Sequence, residues 1–499
     1  MDIILQKFDY KYLPYEQNLL RLEIKALFPN SVLDDSGRQL ILRNICEADI
    51  PALDRLTYIA AYYIDNECYY TKQYKLEHNK SKSPKRQNTR YASHGLHEYK
   101  GKFNPQIVHA LLNILGANGD CTVLDPFCGS GTTLVESAIC GFSSYGFDIN
   151  PLAAQLATLK VNALTIDCVK ANELLIDAID YFSHGNSATT ADVEKNPRNE
   201  YLLNWLPEDI FLTLEQLLQY TANIDEITAL LFKITASNLI RDYSLQEPLD
   251  LRIRRRTSPM PETPFVQAWS DLVVKQLENI SQAQKHIGDV NTNSTAELND
   301  IRTATANHTL FDIAITSPPY AAALPYIDTQ RISLVWLGLC EPRNIMGLES
   351  TLIGSREFYR VQKDALLDKM LQNVAALPND IISLIMELQN KLTDQDGFRK
   401  KAVPLLLYRY FSDMQKMFCN VCTMMKQGAK FALVVGNNKT TIGGNTTIID
   451  TPALLAQIAA ECGWRVIDLM PLQTYQRYGL NAKNAITCET LILLEKGTD

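Results

Sequence analysis

Ser317, Pro318, Pro319 and Tyr320 follow one another at the end of an apolar run, Phe311-Asp312-Ile313-Ala314-Ile315-Thr316, which reads as a buried parallel strand. Consecutive prolines cannot continue a strand, because each lacks an N–H and fixes its own φ. They hold the chain at the strand's carboxyl end, where open α/β sheets bind their ligands. A serine hydroxyl, rigid backbone carbonyls and the flat face of a tyrosine at that point suit gripping a planar base. A plain Pro-rich turn that ends a strand would use the same residues, so the rest of the chain must decide.

A second group lies upstream. In Asp125-x-Phe127-x-Gly129-x-Gly131-Thr132 the glycines let the backbone turn tightly and approach a ligand just before a helix amino terminus. The spacing is not GxGxxG, and no GK[ST] follows, so a phosphate cradle loses ground. Asp148, 23 positions beyond Asp125, ends the next strand, where a carboxylate can accept hydrogen bonds from both hydroxyls of a ribose. An acid opening a helix is the plainer reading, but Asn150-Pro151 already supplies that cap and first turn.

The elements that position these residues are readable from periodicity. Pro105 opens a helical pattern through Ile107, Val108, Leu111, Leu112 and Leu115, stopped by Gly116 and Gly119. Strand Thr122–Asp125, the glycine loop, a helix to Gly141, strand Ser144–Asp148 and a helix from Pro151 follow. This is the first half of a doubly wound fold. Residues 170–295 are mostly helical, with Leu203, Leu206, Ile210, Leu214 and Leu217 at helical spacing. The α/β pattern resumes near Leu298-Asn299-Asp300, passes through the Ser317 strand, a helix through Ile332 to Leu339, strand Lys430–Gly436 and helix Pro452–Cys462, and closes with strand Thr490–Leu494. The expected division is a small helical N-terminal region with a basic linker (1–90), a cofactor-binding half (91–165), a helical insertion (166–295) and a catalytic half (296–499).

Composition bounds the class. The 499 residues carry a net charge of −8, which argues against a protein that coats nucleic acid. No apolar run approaches the roughly 20 residues of a membrane span, and the first residues lack a signal-peptide pattern, so no membrane association and a cytoplasmic location are expected. The eleven cysteines are scattered, odd in number and without paired CxxC spacing. They read as reduced, mostly buried thiols, with no metal site. Two basic groups, Lys72, Lys75, Lys80, Lys82, Lys85, Arg86 and Arg90, then Arg252, Arg254, Arg255 and Arg256, could meet phosphates or simply be solvated faces.

Lys102-Phe103-Asn104-Pro105, Asp-Pro-Phe-Cys-Gly-Ser-Gly-Thr-Thr at 125–133, Phe147-Asp148-Ile149-Asn150-Pro151 and Thr316-Ser317-Pro318-Pro319-Tyr320 together resemble the motif set of S-adenosylmethionine-dependent DNA amino-methyltransferases. The SPPY form most resembles the cytosine-N4 branch; adenine-N6 enzymes more often carry Asp or Asn before the prolines. The resemblance implies a doubly wound, Rossmann-like class I methyltransferase sheet with a helical insertion and an N-terminal extension. It implies S-adenosylmethionine as cofactor, with Phe103, Asp125, Phe127, Gly129 and Gly131 around its methionine part and Thr132 beside them. Asp148 would hold the ribose and Ile149 flank the adenine. Asp300 resembles the acid near the adenine amine, although Leu298-Asn299-Asp300 departs from the usual Gly-Asp pair. Duplex DNA as substrate, a cognate restriction endonuclease as partner, and target recognition by the insertion with its Arg252–Arg256 knot are further implications; segment 341–400 is a second candidate for recognition, and Arg477 another candidate backbone contact.

The chemistry follows from the residues. An exocyclic amine is a poor nucleophile because its lone pair is delocalised into the ring, so it must be held in line with the methyl group it attacks. The Ser317 hydroxyl and Pro318 carbonyl are suitable acceptors for its N–H groups, Pro319 keeps them rigid, and Tyr320 would stack on a base flipped from the duplex. Carbon-5 methylation needs a Pro-Cys nucleophile, and the sequence has no Pro-Cys dipeptide. Cys128 reads as a packing residue. The expectation is therefore N4 methylation of cytosine in duplex DNA within restriction-modification or related defence. Adenine-N6 methylation, RNA base methylation and a non-catalytic DNA-binding subunit remain open at this point.

Overall fold

The computed structural model describes residues 1–35, 39–78, 86–99, 101–184, 193–250, 253–288, 290–305, 310–321, 327–357, 360–473 and 488–497. It opens on a five-stranded antiparallel sheet, β1 (Ile3–Gln6), β2 (Val32–Asp34), β3 (Leu40–Arg43), β4 (Ala61–Ile64) and β5 (Glu67–Tyr70), in the order β2-β3-β1-β4-β5. Helix Pro14–Leu27 connects its first two strands. The N-terminal region expected from sequence to be helical therefore combines helices with a sheet. Its short apolar runs are equally compatible with either period. What decides is local: β-branched and aromatic residues fill the strands, and Asp65 and Asn66, at φ 48° and 71°, make the two-residue turn that a hairpin requires.

The central sheet comprises β6 (Thr122–Asp125), β7 (Ser143–Asp148), β8 (Ser294–Leu298), β9 (Phe311–Thr316), β10 (Met425–Gly436), β13 (Trp464–Gln473) and β14 (Cys488–Lys496), with a separate hairpin, β11 (Asn438–Ile442) and β12 (Asn445–Ile449), between β10 and β13. Its order is β13-β14-β10-β9-β6-β7-β8. β14 runs antiparallel to β10 and β13, whereas the pairs β10–β9, β9–β6, β6–β7 and β7–β8 are parallel. This is the doubly wound α/β sheet. The chain leaves β6 toward β7 and β8, then returns to lay β9 on β6's other side, so the order reverses between β6 and β9. A crevice opens there, beyond the carboxyl ends of the strands.

Alternation along β9 divides the core. Ala314 packs with Leu124, Phe147, Phe411 and Met414 on one face, whereas Ile313 and Ile315 pack with Val123, Val434, Ile107 and Leu111 on the other. Ile3, Leu19 and Leu42 of the N-terminal region belong to that second cluster. The extension thus completes the cover of one face of the central sheet. Helices Cys168–His184, Pro197–Trp205, Glu208–Thr221, Glu226–Ile240 and Phe265–Ile287 lie in the chain between β7 and β8, and their Phe211, Leu214 and Trp269 share a core with Leu152, Leu156 and Trp336. Of the eleven free cysteines only Cys121 and Cys128 are fully buried, so the expectation of mostly buried thiols fails. Among the described residues no single helix is long and apolar enough to cross a membrane.

Candidate active site

The glycine loop leaves β6 and enters helix Thr132–Ile139 through Gly131, whose φ is 81°. A Cβ on Gly131 would lie 2.7 Å from the Cα and Cβ of Ala157. The loop therefore needs glycine twice over, for its left-handed backbone and for its approach to helix Pro151–Asn162. A Cβ on Gly146 would lie 2.6 Å from the Cβ of Cys128, so Cys128 fills the space between the loop and β7 as a packing residue. Thr132 begins the helix and is buried.

Asp125, at the end of β6, is buried and bound from both sides of the crevice. Its Oδ1 accepts the Thr316 hydroxyl at 2.6 Å and the Phe127 N–H at 3.1 Å. Burial pushes its carboxyl up to about 6, against the hydrogen bonds from Thr133, Thr316 and Phe127. The Thr316 bond carries the connection across the point where the strand order reverses, joining the glycine loop to the residues before Ser317.

Asp148, at the end of β7, accepts the Gly129 N–H at Oδ2 (2.9 Å) and the Asn150 N–H at Oδ1 (2.8 Å). The side chain is only half-buried. Each carboxylate oxygen has a further acceptor site available. Burial pushes this carboxyl up to about 6 as well. Asn150 caps the following helix and donates from Nδ2 to Gln330 at 2.8 Å, leaving Asp148 free of the capping role. Ile149, also half-buried, stands between them.

Asp300 lies two residues beyond β8, on the same sheet edge, where the Asn299 N–H donates to the Asp148 carbonyl at 3.1 Å. Arg302 holds its carboxylate with Nε at 2.9 and 3.0 Å and Nη2 at 2.7 Å, and also pairs with Asp413 at 2.9 Å. Burial would raise the Asp300 carboxyl, but Arg302 prevails and keeps it below its ordinary value. Phe103 packs, partly buried, against the cluster that contains Ile107, Ile313 and Val434. Its neighbours have structural partners: Lys102 donates to the Thr89 and His94 carbonyls at 2.6 and 3.1 Å, and Asn104 caps helix Pro105–Ile114.

After β9 the Ser317 hydroxyl donates to the Val434 carbonyl of β10 at 3.2 Å. Pro318 is buried, whereas Pro319 and Tyr320 are half-buried. The Tyr320 hydroxyl donates to Glu489 Oε1. Glu489 was not among the residues expected from sequence. A signal existed: it stands just before the apolar run Thr490–Leu494, at the start of β14, which pairs with the end of β10.

Glu136 is a second group that sequence reasoning missed. Fully buried, it takes hydrogen bonds from the Tyr91 hydroxyl (2.6 Å), His94 (2.7 Å) and His109 (2.8 Å). Burial would raise it, but the two histidines pull it down to about 2. It fastens the segment around Phe103 to the helix that follows the glycine loop.

The basic groups resolve mostly into structure. Arg255 bonds Asn204 at 2.7 and 2.6 Å and lies 4.6 Å above the Trp205 ring; Arg256 is taken up by the carbonyls of Asp242, Ser244, Ser258 and Pro259. Arg254, near Asp250 at 3.6 Å, stays exposed. The Arg knot therefore braces the insertion, with Arg254 as its solvent-facing cation; Arg252 lies outside the described residues. Lys72 donates to the Ile139 and Ile287 carbonyls, and Arg90 pairs with Glu98. Lys80, Lys82, Lys85 and Arg477 also lie outside the described residues. A cavity of about 850 Å³ is lined by Gly95, His97, Asn238, Arg241, Gln276 and Gln330 among others.

Residues 52–159 match the family described as DNA methylase, of the N6/N4 type. The chain is 23% identical over 437 residues to the type II methyltransferase M.BsoBI of Geobacillus stearothermophilus, covering 79% of this chain and 82% of that protein. Against M.MvaI of Kocuria varians, another type II methyltransferase, it is 23% identical over 389 residues, covering 70% and 78%. A shorter stretch of 86 residues is 42% identical to the type II methyltransferase M.MjaII of Methanocaldococcus jannaschii; the chain spans only 16% of that relative's length there, and the stretch is 17% of this chain.

Proposed function

We propose that this chain, which carries the N6/N4 DNA methylase domain and takes S-adenosylmethionine as its cofactor, methylates the exocyclic N4 amine of cytosine in duplex DNA. The cofactor supplies an electrophilic methyl group on a sulfonium. The residues present fit it: Gly129 and Gly131, both left-handed at φ 50° and 81°, let the loop turn tightly at the strand end, and half-buried Asp148 keeps acceptor capacity for ribose hydroxyls. Asp125, Phe127 and Thr132 would line its methionine side, Ile149 its adenine. Asp300, held by Arg302, stands at the adjoining strand end. Phe103 would approach from the segment that Glu136 fastens.

One observation carries the base-clamp reading. Because the Ser317 hydroxyl gives its proton to Val434, its oxygen lone pairs remain to accept an N–H from the target amine. The Pro318 carbonyl would take the other N–H, on a backbone stiffened by Pro319. Both acceptors draw the amine toward a pyramidal nitrogen and fix its direction of attack. Tyr320 would stack on the flipped base. The serine supports cytosine over adenine. The helical insertion would read the target sequence, and the type II relatives support a place in restriction-modification or related defence with a cognate endonuclease.

The test is mass spectrometry of nucleosides from duplex DNA incubated with the protein and S-adenosylmethionine. N4-methylcytosine is expected. N6-methyladenine alone would sink the base assignment, labelled methyl transfer to RNA but not DNA would move the substrate class, and DNA binding without cofactor binding or transfer would favour a scaffold subunit. If that DNA then resists a co-encoded endonuclease, the defence role gains its partner.

A further inference from the structure

We infer that Glu489 is a positioning residue for methyl transfer, setting the plane of the Tyr320 ring against the target base. The inference rests on the reading of Tyr320 as the residue that stacks on that base. Stacking alone needs only an aromatic face, which phenylalanine supplies equally well. The Tyr320 hydroxyl has a different use: it donates to Glu489 Oε1. The hydroxyl oxygen lies on the axis of the ring's own rotation, so holding it fixes where the ring points; the plane follows because a phenolic O–H prefers to lie in the plane of its ring, and an acceptor in a fixed direction favours the rotation that contains it.

Glu489 is suited to that task by its backbone. It pairs with Gly436 of β10 on one side and Leu472 of β13 on the other, so its strand is clamped from both flanks. Tyr320 lies four residues past the end of β9, in a loop with no strand of its own. The same carboxyl-terminal strands hold the loop at two other points: Ser317 donates to the Val434 carbonyl, and Asn438 Nδ2 donates to the Ala321 carbonyl at 2.7 Å. Those contacts fix the loop's backbone and its serine. Glu489 takes the ring's hydroxyl. A phenol donating to a carboxylate also presents a more electron-rich face, which favours the positive charge that builds on the base as its amine is alkylated.

The experiment uses the full chain, unmethylated plasmid DNA as substrate and labelled S-adenosylmethionine. Rates are measured for Glu489→Ala, Glu489→Gln, Tyr320→Phe and the Tyr320→Phe/Glu489→Ala pair, with cofactor affinity measured separately. Glu489→Ala and Tyr320→Phe should each lower kcat by about tenfold and leave the KM for S-adenosylmethionine unchanged, as expected of an interaction that matters only in the transition state. The double variant should be no slower than either single one, because both remove the same bond. Glu489→Gln keeps an acceptor for the hydroxyl and should stay within about threefold of the parent. Additive losses, a rise in KM in place of a fall in kcat, or equal damage from Gln and Ala would overturn the inference. If Glu489→Ala does not fold, the near-isosteric Tyr320→Phe and Glu489→Gln decide: a parental rate for Tyr320→Phe overturns it. Tyr320→Ala separates the two levels. Full activity there refutes the base-stacking reading and the inference with it; lost activity there alongside a parental Glu489→Ala refutes the inference alone.

Discussion

Asp148 ends β7 and Ser317 follows β9, with β6 between them, and on the proposed reading they address different molecules, which substitution should separate. Ser317→Ala removes an acceptor for the base and is expected to lower the methyl-transfer rate by about tenfold or more with little change in cofactor affinity. Equal loss of both would count against its role. Asp148→Ala should do the reverse, weakening S-adenosylmethionine by about tenfold or more through the loss of charge-assisted hydrogen bonds to the ribose; isothermal titration showing parental affinity would return Asp148 to a loop-bracing role. A pH dependence follows from the same residue. Burial raises its carboxyl to about 6, and only the ionised form accepts from both hydroxyls. Affinity should therefore be flat above pH 6 and weaken as pH falls below it, and Asp148→Asn should lose that slope. At this scale the sequence was informative where a residue's type is its function, as for the acids and the serine. It was silent on Glu489 and Glu136, whose importance lies in partners 169 and 42 positions away.

The elements show a similar division. Strands Thr122–Asp125 and Phe311–Thr316 were legible to the residue, because both are short apolar runs bounded by turn signals. β13 was not, since its residues are largely exposed and it includes Arg465, Asp468 and a register shift between Val466 and Asp468. An edge strand with little to bury leaves a weak pattern. The N-terminal strands were missed for another reason: their short apolar runs fit either period, and the Asp65-Asn66 turn that settles one hairpin carries no strong sequence signal. The glycine loop is where an element depends on one atom. Gly131→Ala would force a Cβ into Ala157 at a left-handed φ and should cost about 2–4 kcal/mol by urea unfolding. A loss under 0.5 kcal/mol would mean that the two helices can part without consequence.

The whole molecule is organised around shared cores rather than separable blocks. The N-terminal sheet contributes Ile3, Leu19 and Leu42 to the cluster that holds Ile313, Ile315 and Val434, directly behind the strands that end at the active site. Deleting residues 1–70 should expose that face, and the truncated chain is expected to be insoluble or to lose cofactor binding. A soluble, cofactor-binding remainder would make the extension an accessory. The division at residue 90 read from sequence thus follows a change in composition more than a break in packing.

The hydrogen bond from Thr316 to Asp125 spans 191 positions of chain, with the whole helical insertion between its partners. Ordering so long an excursion must precede the closing of the β6–β9 seam, and contacts of such separation form late. During synthesis, the first half can emerge and acquire its helices well before β9 exists to complete the crevice. On the reading of Ser317–Tyr320 as a base clamp, synthesis carries a built-in delay: a chain that stops before β9 would hold the glycine loop and Asp148 but no clamp, and would modify nothing.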